Sequence, residues 1–335
     1  MAKRLAYRSG VLTRQHRKQN ARRLTVAMFH RVLARDDPRW AESDPEWTVS
    51  DELFADCLDF FSEHYSIVSL DDVARGVDAL PDCPLLITFD DGWADNAEYA
   101  LPLLQARNLP ALCFVVSDVV DAQRTFWQEE VVAACRAGRL TPSECDALWY
   151  ELGGEPLTAG AWASAAGVRK LIGKLSALPD AQREEFLRTR EAKLAATSGE
   201  TPMVDEMQLA KLANGGVAIG SHGKTHRPLT TVNGDLNLEL ASSKSALEAR
   251  LARPVESLSY PHGRYDADIV RATRDAGYRF IFTSDECLND LSRGLPDLIG
   301  RINIAAHEIS NPEGRLAPEL LALWLFRREA TCLSV

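Results

Sequence analysis

The segment PLLITFDDGWADN, residues 84–96, contains an apolar run that ends in two adjacent aspartates and a glycine. Its first part, PLLITF (84–89), is apolar enough to form a buried strand. Two neighbouring carboxylates repel each other, and each costs free energy when it is buried without a partner. Asp90 and Asp91, at the end of a core strand, therefore indicate a site where positive charge offsets both anions.

Short apolar runs alternate with helical patterns along most of the chain. The predicted strands cover residues 24–30, 65–70, 84–89, 111–117, 216–222, 255–263, 279–284 and 298–306. Strand, loop and helix follow one another with short connections, which is typical of parallel βα units. The sequence therefore predicts an α/β fold, a distorted or incomplete (β/α) barrel like the TIM barrel. In such barrels the active site lies at the carboxyl ends of the strands, where Asp90 and Asp91 fall.

One long segment interrupts this alternation. Residues 121–202 are rich in Ala, Glu and Arg, helical in pattern and without a clear strand. Because normal connections are much shorter, we expect a helical insertion between two parts of one barrel, 24–120 and 203–310. The insertion leaves and rejoins the barrel at the catalytic face, so it is expected to cover the mouth; packing on the barrel's side is the alternative. Residues 1–23 are expected to form a basic N-terminal segment, and residues 311–335 a C-terminal helix or tail.

Composition and charge restrict the class of partner. The chain has 335 residues and a net charge of -10, which argues against nucleic acid. The basic first 23 residues are a solvated tail, a helix on the protein's own acidic surface, or a weak contact with an anionic membrane. Without an 18-residue apolar run, a secretory h-region or a CxxC pair among seven cysteines, we expect a cytoplasmic protein with no membrane span.

A second informative segment is IGSHGKTHRPL, residues 219–229, which follows a predicted strand. His222 and His226 are four residues apart, so a helical turn would place them on one face, where both can bind one metal ion. Two imidazoles and one carboxylate form an open three-ligand site. One aspartate of the pair would bind the metal and the other would stay free as a general base. Chance accounts for many H-x3-H patterns, and FDDG also fits a simple Asx turn.

With these residues, the sequence resembles the polysaccharide deacetylases of the NodB-homology group, carbohydrate esterase family 4. Four segments carry the resemblance: TFDDG (88–92), SHGKTH (221–226), SYPHGRYD (259–266) and FHRV (29–32). The resemblance implies a hydrolase of non-peptide C–N bonds that removes an N-acyl group, expected to be N-acetyl, from an amino sugar. The expected partner is a glycan such as an exopolysaccharide, or its lipid-linked or nucleotide-linked precursor. The oligomeric state is not predicted.

The resemblance also implies roles for particular residues. Asp91, His222 and His226 would hold a divalent metal, expected to be Zn²⁺, with Co²⁺, Ni²⁺ and Mn²⁺ as alternatives. The metal would polarise the acyl carbonyl and acidify a water, and Asp90 would deprotonate that water. A backbone N–H near His262 would help to stabilise the oxyanion, and a protonated histidine would donate to the leaving amine.

Two departures from the family pattern leave roles open. The third motif usually begins with an arginine that orients the base, but Ser259 occupies that place, so Arg264 or Arg301 is expected to substitute. Either arginine could equally be structural.

The late histidine motif that supplies the general acid has no clear copy. His30, at the end of the first predicted strand, is the preferred acid, with a structural role as its alternative; His262 and His307 are further candidates. His16 and His64 are expected at the surface.

Other interpretations remain open at this level. Trp93, Trp127 and Tyr265 are candidates for a platform that stacks on sugar rings, with core packing as the alternative. The same metal chemistry could act on a non-sugar amide. Two histidines and a carboxylate also suit a non-haem iron oxygenase, although the βα alternation disfavours that fold. The last alternative is a non-catalytic glycan-binding relic, which the retained aspartates and histidines argue against.

Overall fold

A curled, mostly parallel sheet of ten strands forms the centre of the protein. The computed structural model describes residues 2–158, 160–195, 202–232, 234 and 236–333. The strands are β1 Arg23–Phe29, β2 Arg31–Leu33, β3 Thr48–Ser50, β4 Ser66–Ile67, β5 Pro84–Phe89, β6 Ala111–Val115, β7 Val217–Ser221, β8 Ser257–Ser259, β9 Phe280–Phe282, β10 Leu288–Asp290, β11 Ile302–Asn303 and β12 Ala330–Thr331. Strands β2 and β3 pair separately.

The strand order is that of a distorted barrel. Strands β1, β5, β6, β7, β8 and β9 are neighbours in that order and run parallel. Ile299 bridges to Phe282 of β9, and β11, three residues later, runs parallel to β1. The segment between these two pairings spans the gap from β9 to β1. Strand β10 is antiparallel to β1 and carries β12 at the sheet's edge. The expected fold class is confirmed.

Fifteen α-helices lie in the described part of the chain. They are α1 Ala2–Arg8, α2 Val11–Gln19, α3 Asp51–His64, α4 Leu70–Ala74, α5 Leu101–Gln105, α6 Trp127–Arg136, α7 Pro142–Glu151, α8 Ala165–Ser176, α9 Asp180–Arg188, α10 Glu191–Leu194, α11 Glu206–Asn214, α12 Ser243–Leu251, α13 Ala267–Asp275, α14 Ala306–Ile309 and α15 Pro318–Phe326. None of the helices in these described residues is long and apolar enough to cross a bilayer.

Strand β5 shows why the apolar runs are uninterrupted. Leu85, Ile87 and Phe89 belong to the large core that also contains residues of α3, α5 and α15, whereas Leu86 packs with side chains of β1, β6 and β9. Both faces of the strand are therefore buried, as expected for a parallel sheet covered by helices. Charged residues appear only after the strand ends, at Asp90, and the one polar side chain within it, Thr88, donates a hydrogen bond to the carbonyl oxygen of Ala27 in β1.

The segment 121–202 contains helices α6 to α10 and a core of its own. That core includes Val131, Leu148, Trp149 and Leu171. Residues 159 and 196–201 of the predicted insertion lie outside the described residues. Near its start, Phe126 packs with a small cluster that also contains barrel residues, which brings this end of the segment to the sheet.

The prediction that His16 and His64 are surface residues is wrong. Helices α1 and α2 pack against α15, and both histidines are buried there among aromatic rings. The His16 ring stacks on Phe326 with 4.0 Å between ring centroids, and the Tyr7 hydroxyl lies 3.0 Å from His64 Nε2. The basic N-terminal segment is thus attached to the barrel by an aromatic contact that its charge pattern did not indicate.

This contact should weaken in acid. Burial lowers the pKa of His16 from 6.5 to about 4, because the charged ring is poorly solvated there. The folded chain therefore keeps His16 neutral below the pH at which an unfolded chain protonates it. Its contribution, at most about 3 kcal/mol, is complete above pH 6.5 and is lost as the pH falls towards 4. Hydrogen exchange of α1 and α2 should rise over this interval. In a His16→Phe variant, which cannot titrate, this rise should be smaller; an unchanged rise would contradict the assignment.

Candidate metal centre

The predicted site residues meet at the carboxyl ends of the parallel strands. His30 follows β1, Asp90 and Asp91 follow β5, and His222 follows β7. The turn that contains His262 follows β8. Because these strands run parallel, their carboxyl ends form one edge of the barrel. The sequence motifs are therefore brought together by strand pairing over long distances in the chain.

A tight turn holds Asp91. Its φ is 79°, and the next residue, Gly92, has φ 86°, so both lie in the left-handed region. A Cβ on Gly92 would lie 2.9 Å from a side-chain carbon of Val115, which leaves room only for glycine. The Trp93 indole Nε1 donates to Asp91 Oδ2 over 3.0 Å. The turn therefore fixes the carboxylate and leaves Oδ1 facing the histidines.

Two imidazoles lie against that oxygen. His226 Nε2 is 3.3 Å and His222 Nε2 is 3.5 Å from Asp91 Oδ1. The turn is not helical: residues 222–226 form an irregular loop in which His226 has φ 61°. The His222 ring is oriented by its other nitrogen, which lies 2.9 Å from the carbonyl oxygen of Ser259. With Nδ1–H donating to this carbonyl, Nε2 presents a lone pair to the cluster.

This donor set fits a metal ion. The three ligand atoms lie within 4.8 Å of one another, and no other such group of His, Cys, Asp or Glu is found among the described residues. Two atoms bound to one tetrahedral Zn²⁺ lie roughly 3.3–3.4 Å apart, close to the oxygen–nitrogen distances measured here. Burial lowers the pKa of His222 to about 4, so this ring is neutral, as a ligand must be. Although burial alone would raise the pKa of Asp91, the neighbouring imidazoles hold it well below its usual range.

Arg301 lies on the second aspartate. Its guanidinium donates to Asp90 Oδ1 over 2.6 Å and to Oδ2 over 2.7 Å, and also to the Ser259 hydroxyl over 2.7 Å. Both partners of the ion pair are buried. Burial would raise the pKa of Asp90, but the charge and hydrogen bonds of Arg301 and the neighbouring histidines together lower it. Of the two candidate arginines, only Arg301 contacts this carboxylate; Arg264 is exposed.

The candidate acids occupy different surroundings. The His30 ring packs on Trp47 with 4.5 Å between ring centroids, and its Nδ1 is buried without a hydrogen-bond partner. The His262 ring lies 4.6 Å from the His226 ring, and its Nε2 is 3.1 Å from the His226 carbonyl oxygen. His307, on α14, is exposed and lies beside Glu308. His30 and His262 therefore border the cluster, and no contact links His307 to it among the described residues.

Sequence reasoning missed the residues that support Asp91 from behind. Arg31 donates to Asp95 Oδ2 over 2.9 Å, and its guanidinium carbon lies 4.1 Å from the centre of the Trp93 ring. Arg31 thus packs on the indole that donates a hydrogen bond to Asp91. One terminal nitrogen of Arg31 is buried without a hydrogen-bond partner. Its place in FHRV was the available signal, because that segment resembled the family although no role was attached to the arginine.

Two residues of the 121–202 segment also approach the cluster. The Phe126 ring lies 4.1 Å from the His226 ring. Burial and the negative charges of Asp44 and Asp91 raise the pKa of Glu129 to about 8, although Arg31 opposes the shift. Glu129 is therefore a carboxyl group that is mostly protonated at neutral pH near the candidate site. Nothing in a helical pattern rich in Glu could have singled it out.

The three aromatic residues proposed as a sugar platform do not form one. Trp93 is only 1% exposed and donates a hydrogen bond to Asp91, so its ring cannot stack on a sugar. Tyr265 stacks on Tyr260, and the Trp127 ring lies under Arg183. These contacts agree with core and surface packing, which was the alternative.

Comparison with known proteins decides the family. The family model described as polysaccharide deacetylase matches residues 78–144 and 178–281, about half of the chain, and these ranges include both aspartates and both histidines of the cluster. The chain belongs to the polysaccharide deacetylase family. The resemblance seen in the motifs is thereby confirmed, and this member of the family is a carbohydrate N-deacetylase. No curated protein matches the sequence.

Solved structures of deacetylases share the fold. The Streptococcus pyogenes deacetylase PplD in complex with acetate is 18% identical, with TM-score 0.56 over 90% of this chain and 98% of that one. IcaB from Ammonifex degensii is 17% identical, with TM-score 0.56 over 90% and 96%. The BpsB deacetylase domain from Bordetella bronchiseptica is 18% identical, with TM-score 0.50 over 85% and 96%. At these identities the likeness shows the fold alone.

The ion pair of Arg301 with Asp90 predicts a shift in the pH profile. In Arg301→Gln the carboxylate stays buried without its counter-charge, so its pKa rises. The acidic limb of kcat/KM should move to higher pH, while metal content stays unchanged. Because breaking a buried pair costs about 3–5 kcal/mol, circular dichroism must show that the variant is folded, and Arg301→Lys serves as the milder variant. The exposed Arg264→Gln is the matched control and should leave the profile in place. If Arg301→Gln and Arg264→Gln move the acidic limb equally, Arg301 is not the residue that lowers the pKa of Asp90.

Proposed function

We propose that this deacetylase is metal-dependent and removes an N-acetyl group from an amino sugar of a glycan or a glycan precursor. The observation that carries the proposal is the pairing of an Asp91–His222–His226 cluster with a second aspartate that Arg301 holds beside it. A Zn²⁺ ion held by the three ligands would polarise the acyl carbonyl and acidify a water.

Asp90 is the proposed general base. Its Oδ2 lies 3.9 Å from His222 Nε2, so the carboxylate borders the cluster without being one of its three ligands. Arg301 keeps it ionised and fixes the plane of the carboxylate through two hydrogen bonds. An ionised, oriented carboxylate next to the water position can accept the water's proton.

His30 is the proposed proton donor to the leaving amine. It lies at the end of β1, next to the carboxyl end of β5, and its Nδ1 is buried with no protein partner. His262 is more exposed and its Nε2 already faces a carbonyl oxygen, which suits a role in holding the His226 loop.

We further propose that the 121–202 segment walls the mouth of the site. Phe126 near its start packs on His226, and Met203 just after its end pairs with Trp93. One junction therefore packs on the proposed ligand His226, and the other pairs with Trp93, which donates a hydrogen bond to the proposed ligand Asp91. A wall at this place would exclude water and restrict the size of the substrate. A cytoplasmic location, with a lipid-linked or nucleotide-linked precursor as substrate, stays part of the proposal.

The proposed activity should depend on the metal. With N-acetylglucosamine oligomers as substrate, the protein should release acetate, lose this activity to a chelator and recover it with Zn²⁺.

The two aspartates should have different roles. Asp91→Asn should lose bound metal, measured by elemental analysis. Asp90→Asn should keep the metal and lose on the order of 10²–10⁴ in kcat, the usual contribution of a general base. If the two variants behave the other way round, the roles are exchanged. Metal-loaded protein that releases no acetate from any N-acetylated sugar would instead favour a non-sugar amide or a non-catalytic relic.

The identity of the acid can be tested by comparing three histidines. His30→Gln should lower kcat by about 10²–10⁴ and remove the basic limb of its pH profile, because an acid must be protonated to act. Metal content and KM should change little. His262→Gln should chiefly affect metal retention, and the exposed His307→Gln is the control that should change neither. Retention of the basic limb in His30→Gln would assign the histidine a structural role.

A further inference from the structure

Helices α1 and α2 carry a concentrated positive charge that the proposed catalysis does not use. Residues 1–23 contain eight Lys or Arg and no Asp or Glu, although the whole chain has a net charge of -10. All other residues together are therefore more acidic than the total suggests. The segment is held against the barrel by the buried contacts of Tyr7 and His16, so its charges lie on a fixed surface.

Three arginines of this surface line one open cleft. Arg8, Arg14 and Arg17 surround a space of about 520 Å³ together with Tyr7 and Thr13. Among the described residues, no carboxylate lies within ion-pair distance of these three guanidinium groups.

The acidic neighbours offset only part of this charge. Glu63 also lines the cleft, and Glu319 pairs with Arg4 of α1. A cleft with three guanidinium groups and one nearby carboxylate retains an excess of positive charge. Guanidinium groups bind phosphate oxygens through paired N–H donors, which makes a phosphate-bearing anion the matching ligand.

Exposed apolar side chains occur on the same two helices as the arginines. Leu5 on α1 is 69% exposed and Val11 at the start of α2 is 52% exposed, and both rank among the most exposed large apolar residues of the described chain. A soluble phosphate would gain nothing from them. At a bilayer surface, such side chains enter the boundary between headgroups and acyl chains while cations contact the lipid phosphates.

We propose that the surface formed by α1 and α2 docks the protein on an anionic lipid bilayer. Arg8, Arg14 and Arg17 contact the headgroup phosphates, and Leu5 and Val11 enter the interface. The rest of the chain has a net negative charge, which the anionic bilayer repels. The attraction is therefore confined to one surface and defines one orientation of the protein. This proposal does not rest on the deacetylase chemistry.

The orientation has a consequence for the catalytic mouth. Only two residues separate Asn20 from the start of β1, and one residue separates His64 from the start of β4. The basic surface therefore lies at the amino ends of these strands. Asp90 follows the carboxyl end of β5, which runs parallel to both. A protein docked through α1 and α2 therefore holds its mouth away from the bilayer, towards sugars that extend from the membrane surface.

The test is sedimentation of the full chain with vesicles. Vesicles of phosphatidylcholine alone should bind little protein, and vesicles that also contain phosphatidylglycerol should bind it in a salt-sensitive manner. The Arg8→Gln/Arg14→Gln/Arg17→Gln variant should lose on the order of a hundredfold in partition coefficient, since each basic residue near the surface contributes several-fold. Leu5→Gln/Val11→Gln should weaken binding without changing its salt dependence.

The matched control removes the same charge elsewhere. Lys170, Arg188 and Arg293 are exposed and lie outside the proposed site, so their triple glutamine variant should bind like the natural protein. Equal losses in the two triple variants would overturn the proposal, because net charge alone would then explain binding. Displacement of the protein from vesicles by inorganic phosphate but not by sulfate, at equal ionic strength, would also overturn the proposal. Binding to duplex DNA in place of vesicles would overturn it as well. Binding is measured without turnover, so a failed deacetylase assay leaves this result unaffected.

Discussion

The buried ion pair between Asp90 and Arg301 is the interaction on which the site depends. Two adjacent aspartates at the end of a core strand are unstable unless each has its own source of positive charge. Asp90 receives it from Arg301, which is 211 residues later in the chain and immediately precedes β11. Asp91 faces the histidines and, in the proposed enzyme, a metal. The closure of the sheet from β9 to β1 therefore also places the positive charge beside Asp90, the proposed general base.

Ser259 connects the two halves of this arrangement. Its carbonyl oxygen orients the imidazole of His222, and its hydroxyl accepts from Arg301. The family usually has an arginine at this place in the motif. Here the arginine comes from the segment that directly precedes β11, and the Ser259 hydroxyl accepts a hydrogen bond from it. The position of the guanidinium group, rather than its place in the sequence, satisfies the buried carboxylate.

The two ends of the barrel have opposite character. At the carboxyl ends of the strands, buried acids and imidazoles are arranged for chemistry, and Phe126 of the 121–202 segment packs against them. At the amino ends, an aromatic contact attaches two basic helices to an otherwise acidic protein. Burial of His16 and His64 is what keeps the cations of α1 and α2 in fixed positions at the surface. Catalysis and docking can therefore be changed by separate substitutions.

The sequence by itself determined the fold class, the strand carrying Asp90 and Asp91, and the histidine pair, because apolar periodicity and motif spacing are local properties. It located the general base only as one of two aspartates until the family resemblance assigned it. The short strands β2, β3, β10 and β12 escaped it. Three features were decided only by the tertiary structure. Arg301 and not Arg264 pairs with Asp90, Trp93 is buried and cannot stack on a sugar, and His16 stacks on Phe326. Each of these depends on which distant residue supplies a charge, a hydrogen-bond acceptor or an aromatic face, and such pairings between remote parts of the chain leave no local pattern.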